Sequence, residues 1–334
     1  MTLKNQISVI IPLYNKGAYI KRAINSVLQQ TIQNFEIIIV DDHSTDEGPL
    51  VVKEFQDSRI TFVINEGSGA ASTRNSGVSL AKSDFIAFLD ADDEWDPRHL
   101  ETLMKLREKF PEAGLYVTAY KMMEPGNIIR DPKYHAIPAA PWEGLIPNYI
   151  QSAVYGDFPF VTICVGISKK LFLEMGGFLP QVRWNEDLEL WFRIILKYPV
   201  AFTWDGIALW HLDAINRVSN SLLYRDFQER GEFVIRAMEA MRSIDTPSKY
   251  LPFLQEYVAK NEMSRALWII KAGYPKEGRK ILKEQETKLF SREKKYFLLL
   301  SYIPVPLFRF LWKMYRTMNK YLYSIQYNKN PWLE

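Results

Sequence analysis

Apolar positions along residues 7–120 follow two alternating rhythms. Ile7-Ser-Val-Ile-Ile-Pro12 and Phe35-Glu-Ile-Ile-Ile-Val40 are short, β-branched and nearly continuous, the pattern of strands buried on both faces of a parallel sheet. Between them Ala18, Ile20, Ala23, Ile24, Val27 and Leu28 recur at helical spacing. The alternation continues with a helix near 46–57, a strand near 59–64, a helix near 70–82, a strand over Phe85–Leu89, a helix near 97–109 and a strand near 114–120. Repeated βαβ units with right-handed crossovers predict an α/β fold, a doubly wound and mostly parallel sheet flanked by helices.

Residues 121–165 lose the rhythm and are rich in Pro, Gly and aromatics, so irregular structure is expected there. Regular signals return with a strand near 161–167, a helix at 169–175, a helix opening at Glu186 and a strand near 199–210. Beyond Leu222 the pattern is nearly all helical, over about 222–244, 248–272, 275–287, 291–300 and 305–326. The expected division is residues 1–220, with halves 1–120 and 121–220, followed by a C-terminal helical region over 221–334.

Composition narrows the class. Among 334 residues, 47% are apolar and 24% charged, which excludes wholesale disorder, collagen and a multi-span membrane protein. The single Cys164 excludes an internal disulfide framework and a Cys-based zinc cluster, and suits a reducing compartment. No secretory signal and no transmembrane run of about 18 apolar residues is expected. The net charge of +3 is uneven: residues 288–334 sum to +7 and residues 1–287 to −4, which argues against a body-wide nucleic-acid surface.

Candidate chemistry collects at strand ends, where open parallel sheets bind ligands. Pro12-Leu-Tyr-Asn15 follows the first strand, Asp41-Asp-His-Ser-Thr-Asp46 the second, Glu66-Gly-Ser-Gly-Ala-Ala-Ser-Thr-Arg-Asn75 the third, and Asp90-Ala-Asp-Asp93 the fourth. One such cluster alone reads as a turn with a helix cap. Four on one edge, with several crowded aspartates, ask for a neutralising cation. Asp90 and Asp92 alternate, so both carboxylates reach one side of an extended loop as hard oxygen ligands for Mg²⁺ or Mn²⁺. Gly67-Ser-Gly-Ala-Ala-Ser72 is close to a dinucleotide fingerprint, but it ends in Ser72, follows the third strand and leads to a triple-Asp cluster. A Walker A lysine is absent.

Together Ile11-Pro-Leu-Tyr-Asn15, Val40-Asp-Asp-His-Ser-Thr-Asp46, Ala70-Ala-Ser-Thr-Arg-Asn-Ser-Gly77 and Phe88-Leu-Asp-Ala-Asp-Asp93 resemble the family 2 glycosyltransferases of the GT-A fold. Glu186-Asp187 with Trp191 and Arg193 resembles that family's downstream acidic motif, and the similarity spans about residues 5–215. The resemblance implies a hexosyl- or N-acetylhexosaminyl-transferase that inverts at the anomeric carbon, uses a nucleotide-diphospho-sugar and takes Mn²⁺ or Mg²⁺. Carried over by position, Pro12, Tyr14 and Asn15 line the nucleotide pocket, Asp42 accepts a uracil N–H with Asp41 beside it, and Arg74 contacts nucleotide or diphosphate. Asp90 faces ribose and metal, Asp92 ligates the metal, and His211 is a further metal candidate. Asp187 is the general base, while Glu186, Trp184 and Arg217 are candidates for acceptor or diphosphate contacts. Ser219 and Ser221 belong to the same polar stretch as Arg217, and His43 is expected to face solvent without a role.

The implied activity is transfer of a sugar, from a UDP-sugar first of all, to a glycan or lipid-linked glycan in surface polysaccharide synthesis. The alternative is a non-catalytic protein on the same fold that binds sugar nucleotide or glycan; a sugar-1-phosphate nucleotidyltransferase would want a Gly-rich basic loop where this chain has Tyr14-Asn-Lys-Gly17. Residues 289–326 interleave Lys and Arg with Phe, Trp, Tyr and Leu at helical spacing, suiting an amphipathic segment at an anionic membrane. The expected location is cytoplasmic and peripheral, on the inner face of the cytoplasmic membrane, through 288–334. The competing expectation packs this tail on the catalytic domain or on a second subunit of a homodimer.

Overall fold

The computed structural model describes residues 7–124, 126–182, 184–214, 231–312 and 314. The elements in chain order are β1 (Ile7–Leu13), α1 (Gly17–Leu28), β2 (Phe35–Asp41), α2 (Gly48–Lys53), β3 (Ile60–Ile64), α3 (Ala70–Leu80), β4 (Phe85–Phe88), β5 (Glu94–Trp95), α4 (His99–Lys109) and β6 (Leu115–Glu124). They continue with β7 (Ile128–Arg130), β8 (Glu143–Leu145), α5 (Tyr149–Tyr155), β9 (Val165–Ser168), α6 (Lys169–Glu174), α7 (Glu186–Ile195), β10 (Val200–His211), α8 (Glu232–Ala240), α9 (Leu251–Ala272), α10 (Pro275–Glu284) and α11 (Ser291–Leu300).

One mixed sheet runs in the order β3-β2-β1-β4-β9-β6-β10-β5. Strands β1, β2, β3 and β4 pair in parallel, as do β6 and β10. The expected mostly parallel sheet is present, and its antiparallel members include β9, between β4 and β6, and β5 and β8 on β10. Every residue of β2 and β4 is buried, which is why their sequences are nearly continuous apolar runs. The polar interruptions satisfy one another: Ser8 Oγ donates to buried Glu36 Oε1 at 2.6 Å, and the Lys82 N–H reaches the same oxygen at 2.7 Å. Helix α3 rests directly on β1, because a β-carbon at Gly77 would lie 2.5 Å from Ile10 Cγ2. That contact aims the start of α3 at the strand ends.

The expectation of irregular structure over 121–165 is corrected. This stretch contributes β7, β8 and α5, each too short to print a period. Their positions come from pairing with β6 and β10, and from Asn148, whose side chain accepts the Gln151 N–H at 2.9 Å to cap α5.

The described residues fall into two compact units, one of residues 7–214 with 231–254 and one of residues 255–314. The boundary expected near 220 falls outside the described residues. In the second unit, Met263, Leu267 and Ile270 of α9, Leu282 of α10, Phe297 and Leu300 of α11, and Phe308 close one core. Full burial of such a side chain contributes about 1.5–3 kcal/mol. The segment from 288 is therefore not a free tail at its start, since Phe297 and Phe308 fill that core and Glu256 accepts the Lys288 and Leu289 N–H groups. Residues 313 and 315–334 lie outside the description, and among the described residues no helix is long and apolar enough to cross a membrane.

Candidate active site

Loops after β1 and β2 are sewn together by the residues expected to hold the nucleotide. Leu13 sits in register with Asp41, Pro12 with Val40, and Tyr14 projects into solvent, 54% exposed. Asn15 takes a left-handed φ of 50°. Its N–H donates to Ser44 Oγ at 2.9 Å and its Oδ1 accepts the Thr45 N–H at 2.7 Å. Buried Asp41 accepts the Ser44 N–H at 3.2 Å. Asp42 accepts from Asn65 Nδ2 at 3.0 Å and from the Gly69 N–H at 2.8 Å. Gly69, the residue before α3, has a φ of 87°, a conformation that favours glycine, so it serves the entry to the helix. His43 is exposed, with its ring nitrogen 3.2 Å from the Gly67 carbonyl oxygen.

Arg74, one turn into α3, joins the two halves of the site. Its guanidinium donates to Asp90 Oδ1 at 2.8 Å and to Glu186 Oε1 at 2.6 Å, with the side chain 8% exposed. The Phe178 ring lies 5.6 Å from it. Burial works against the Arg74 charge, but the carboxylates of Asp90, Glu186 and Asp187 outweigh it and hold the group above its ordinary range. Burial pushes the Glu186 carboxyl up, Asp187 adds to that push, and Arg74 opposes it. Asn185 at a φ of 55° turns the chain into α7, placing Glu186 and Asp187 in its first turn. Asp187 Oδ2 accepts the Thr162 hydroxyl at 2.6 Å, and Oδ1 accepts the Leu188 N–H at 2.8 Å.

The Asp90–Asp93 loop is flanked by cations. Lys16 Nζ lies 2.7 Å from Asp92 Oδ2, both side chains largely buried, and Arg22 donates to the Asp92 carbonyl. Buried Asp93 accepts the His211 N–H at 2.7 Å. Burial and the charges of Asp92 and Asp90 push its carboxyl well above the usual range. His211, the last residue of β10, has Nε2 3.0 Å from Glu94 Oε1, and this contact holds the Glu94 carboxyl low. His211 Nδ1 is buried without a hydrogen-bond partner among the described residues, with Asp213 Oδ1 at 3.9 Å. Among the described residues no three acidic, His or Cys groups form a ready-made metal cage. Asp90 and Asp92 are hard oxygen donors of the kind Mg²⁺ and Mn²⁺ take, and in this structure Asp90 pairs with Arg74 and Asp92 with Lys16.

Of the other expected residues, Trp184 meets Phe233 edge-on at 6.4 Å, and Arg217, Ser219 and Ser221 lie outside the described residues. Lys16, Arg22, Asn65 and Thr162 were missed. Lys16 adjoins a recognised motif, yet its partner lies 76 residues on, and no spacing marks Thr162.

Arg74→Met should cost stability. Breaking a buried ion pair costs about 3–5 kcal/mol, and the low end applies because Asp90 keeps 32% of its side chain in water. Glu186, already pushed up, would take a proton more readily without Arg74. The deficit against wild type, measured by denaturant melts, should shrink as pH falls; a pH-independent deficit would deny Arg74 this role.

Residues 8–170 match the family model described as glycosyl transferase family 2. The chain is 30% identical over 197 residues to the putative teichuronic acid biosynthesis glycosyltransferase TuaG of Bacillus subtilis, covering 58% of this chain and 73% of that one. It is 43% identical over 124 residues to the UDP-Glc:alpha-D-GlcNAc-diphosphoundecaprenol beta-1,3-glucosyltransferase WfgD of Escherichia coli, covering 37% of this chain. That match spans 49% of WfgD's own length. Among solved structures, S. aureus TarS 1-349 in complex with UDP-GlcNAc superposes with a TM-score of 0.62 at 17% identity, over 89% of this chain and 90% of that one. The architecture shared with it is the GT-A fold.

Proposed function

The chain belongs to glycosyl transferase family 2, and from that premise we propose that it is an inverting, UDP-sugar-dependent hexosyl- or N-acetylhexosaminyl-transferase acting on a glycan or lipid-linked glycan in surface polysaccharide synthesis. The observation that carries the reading is the Arg74 bridge, which joins the Asp90-Ala-Asp92 strand end to the Glu186-Asp187 helix start. UDP in WfgD's name and in the TarS complex supports the donor, and the diphosphoundecaprenol in WfgD's name supports a lipid-linked acceptor.

Asp41, Asp42, Asn15, Pro12 and Tyr14 form the nucleotide side. Asp187 is the general base: its carboxylate takes the proton of the acceptor hydroxyl as that oxygen bonds to the anomeric carbon. The bond from that carbon to the diphosphate oxygen breaks at the opposite side, and the nucleoside diphosphate leaves with the electron pair, inverting the centre. Asp90 and Asp92, with His211 as a further ligand, would hold Mn²⁺ or Mg²⁺, which supplies charge stabilisation to the departing diphosphate. Lys16 adds fixed positive charge at Asp92. Glu186 spends its charge on Arg74 and thereby orients the start of α7. Peripheral association with the inner face of the cytoplasmic membrane belongs to the same reading.

A thermal-shift panel of UDP-, GDP- and dTDP-sugars with and without Mn²⁺ tests the donor. At a concentration one hundred times Kd, a bound donor adds about 2.7 kcal/mol of stability. UDP-sugars should raise Tm, more so with Mn²⁺, and release UDP on incubation. A shift confined to another nucleotide, or binding with no nucleotide diphosphate release, would overturn the proposal.

A further inference from the structure

In the second unit, exposed basic and exposed apolar side chains meet at the Arg279–Tyr302 contact. Helix α10 packs through Gly278 and Leu282, with a β-carbon at Gly278 only 2.4 Å from Ile270 Cγ1. Its other face carries Lys276, Arg279, Lys280 and Lys283 at spacings of three, four and seven, lining one shallow depression of about 390 Å³ with Glu284. Arg279 stacks 4.4 Å from the centre of the Tyr302 ring and donates to the Ser301 carbonyl. Tyr302 is therefore the junction between the basic face and a second, apolar surface. In the segment after α10 each stretch is apolar twice over. Phe297, Leu300 and Phe308 point into the core, while Leu299 (72% exposed), Leu307, Phe310 (59% exposed) and Met314 stay in water.

We propose that this surface, the basic face of α10 joined through Tyr302 to the Leu299, Leu307 and Phe310 stripe, docks on an anionic lipid bilayer. Lysine and arginine stems lie along apolar surface while their heads reach phosphates. Leucine and phenylalanine enter the headgroup boundary beside them, and tyrosine suits the boundary itself. A solvated basic helix would account for the lysines but not for the water-exposed leucines and phenylalanine of the segment that Arg279 contacts. A nucleic acid would use the charge and leave the apolar stripe uncovered. The inference rests on the membrane-linked reading above, and moves the electrostatic contact from the tail beyond 288 to α10.

Co-sedimentation of the full chain with phosphatidylcholine vesicles, with and without phosphatidylglycerol, tests it. The protein should pellet with the anionic vesicles only, and less as salt rises. Lys276→Gln/Lys280→Gln/Lys283→Gln should bind roughly 100-fold more weakly, taking about 1 kcal/mol per basic residue near the surface. Arg279 is left in place because it holds the Ser301 carbonyl. Replacing the same three lysines with arginine should preserve binding, and Leu299→Ser/Phe310→Ser should lose it at low and high salt alike. Wild-type affinity in the glutamine variant, equal binding to neutral vesicles, or a dimer that Leu299→Ser/Phe310→Ser dissociates in the absence of vesicle binding would each overturn the proposal. If removing residues beyond 314 abolishes binding while the glutamine variant binds normally, the tail is the anchor and α10 is not. UDP release from donor should be the same in all lysine variants; its absence from wild type would count against the glycosyltransferase reading alone.

Discussion

Asp187→Asn is expected to lower kcat by about 10²–10⁴-fold, the usual contribution of a positioned general base, while leaving donor affinity close to wild type. The asparagine keeps both the Leu188 and Thr162 contacts within reach, so the fold and the start of α7 should survive. Only the capacity to take the acceptor's proton is lost. Thr162→Val separates positioning from chemistry. It removes the 2.6 Å hydrogen bond to Oδ2 without touching the base itself, so kcat should fall by about tenfold, in keeping with the loss of a charge-assisted hydrogen bond. Thr162→Ser should restore it, and KM for the donor should not move. Steady-state kinetics with a soluble acceptor decide the matter. Normal turnover at saturating donor in Asp187→Asn, with weakened UDP binding, would move Asp187 to the donor site.

Asp92→Asn is expected to reduce transfer to background and to remove the Mn²⁺-dependent part of donor binding. Two effects act together there. A neutral amide is a weaker ligand for a hard cation than a carboxylate. The substitution also breaks the 2.7 Å ion pair between Lys16 and Asp92 Oδ2, both side chains of which are mostly out of water. Loss of a cation that stabilises a leaving diphosphate removes several kcal/mol from the transition state, or about 10³-fold or more. Calorimetric titration of donor with and without Mn²⁺ isolates the binding part. Wild-type turnover in Asp92→Asn, or unchanged wild-type activity in excess chelator, would remove the metal from the mechanism. Lys16→Gln is the control, because it breaks the same ion pair while keeping the carboxylate, and should retain metal-dependent binding.

Much of this was legible in the linear chain. Strands β1, β2 and β4 are buried on both faces, so burial itself wrote nearly continuous apolar runs into Ile7–Leu13, Phe35–Asp41 and Phe85–Phe88. The aspartates that follow them were legible because parallel strands deliver their C-terminal ends to one edge. Helices α7, α10 and α11 were likewise readable, since each has one buried face and a long enough run to repeat it.

What the sequence determined by itself was local: which segments are strands or helices, and which acids stand at their ends. Periodicity and turn chemistry act over a few residues and leave their mark there. Tertiary structure alone decided who meets whom. Arg74 reaches Glu186 across 112 residues, Lys16 reaches Asp92 across 76, and Thr162 meets Asp187 from the short turn just before β9. Such pairings depend on the sheet order, with β9 inserted between β4 and β6, and pairing register leaves no period along the chain. The second unit follows the same logic. Helical spacing announced apolar residues in 291–312, but only packing on α9 and α10 separated Phe297 and Phe308, which close a core, from Leu299 and Phe310, which face water. A helix with two apolar faces cannot say from its own sequence which one its neighbours will cover.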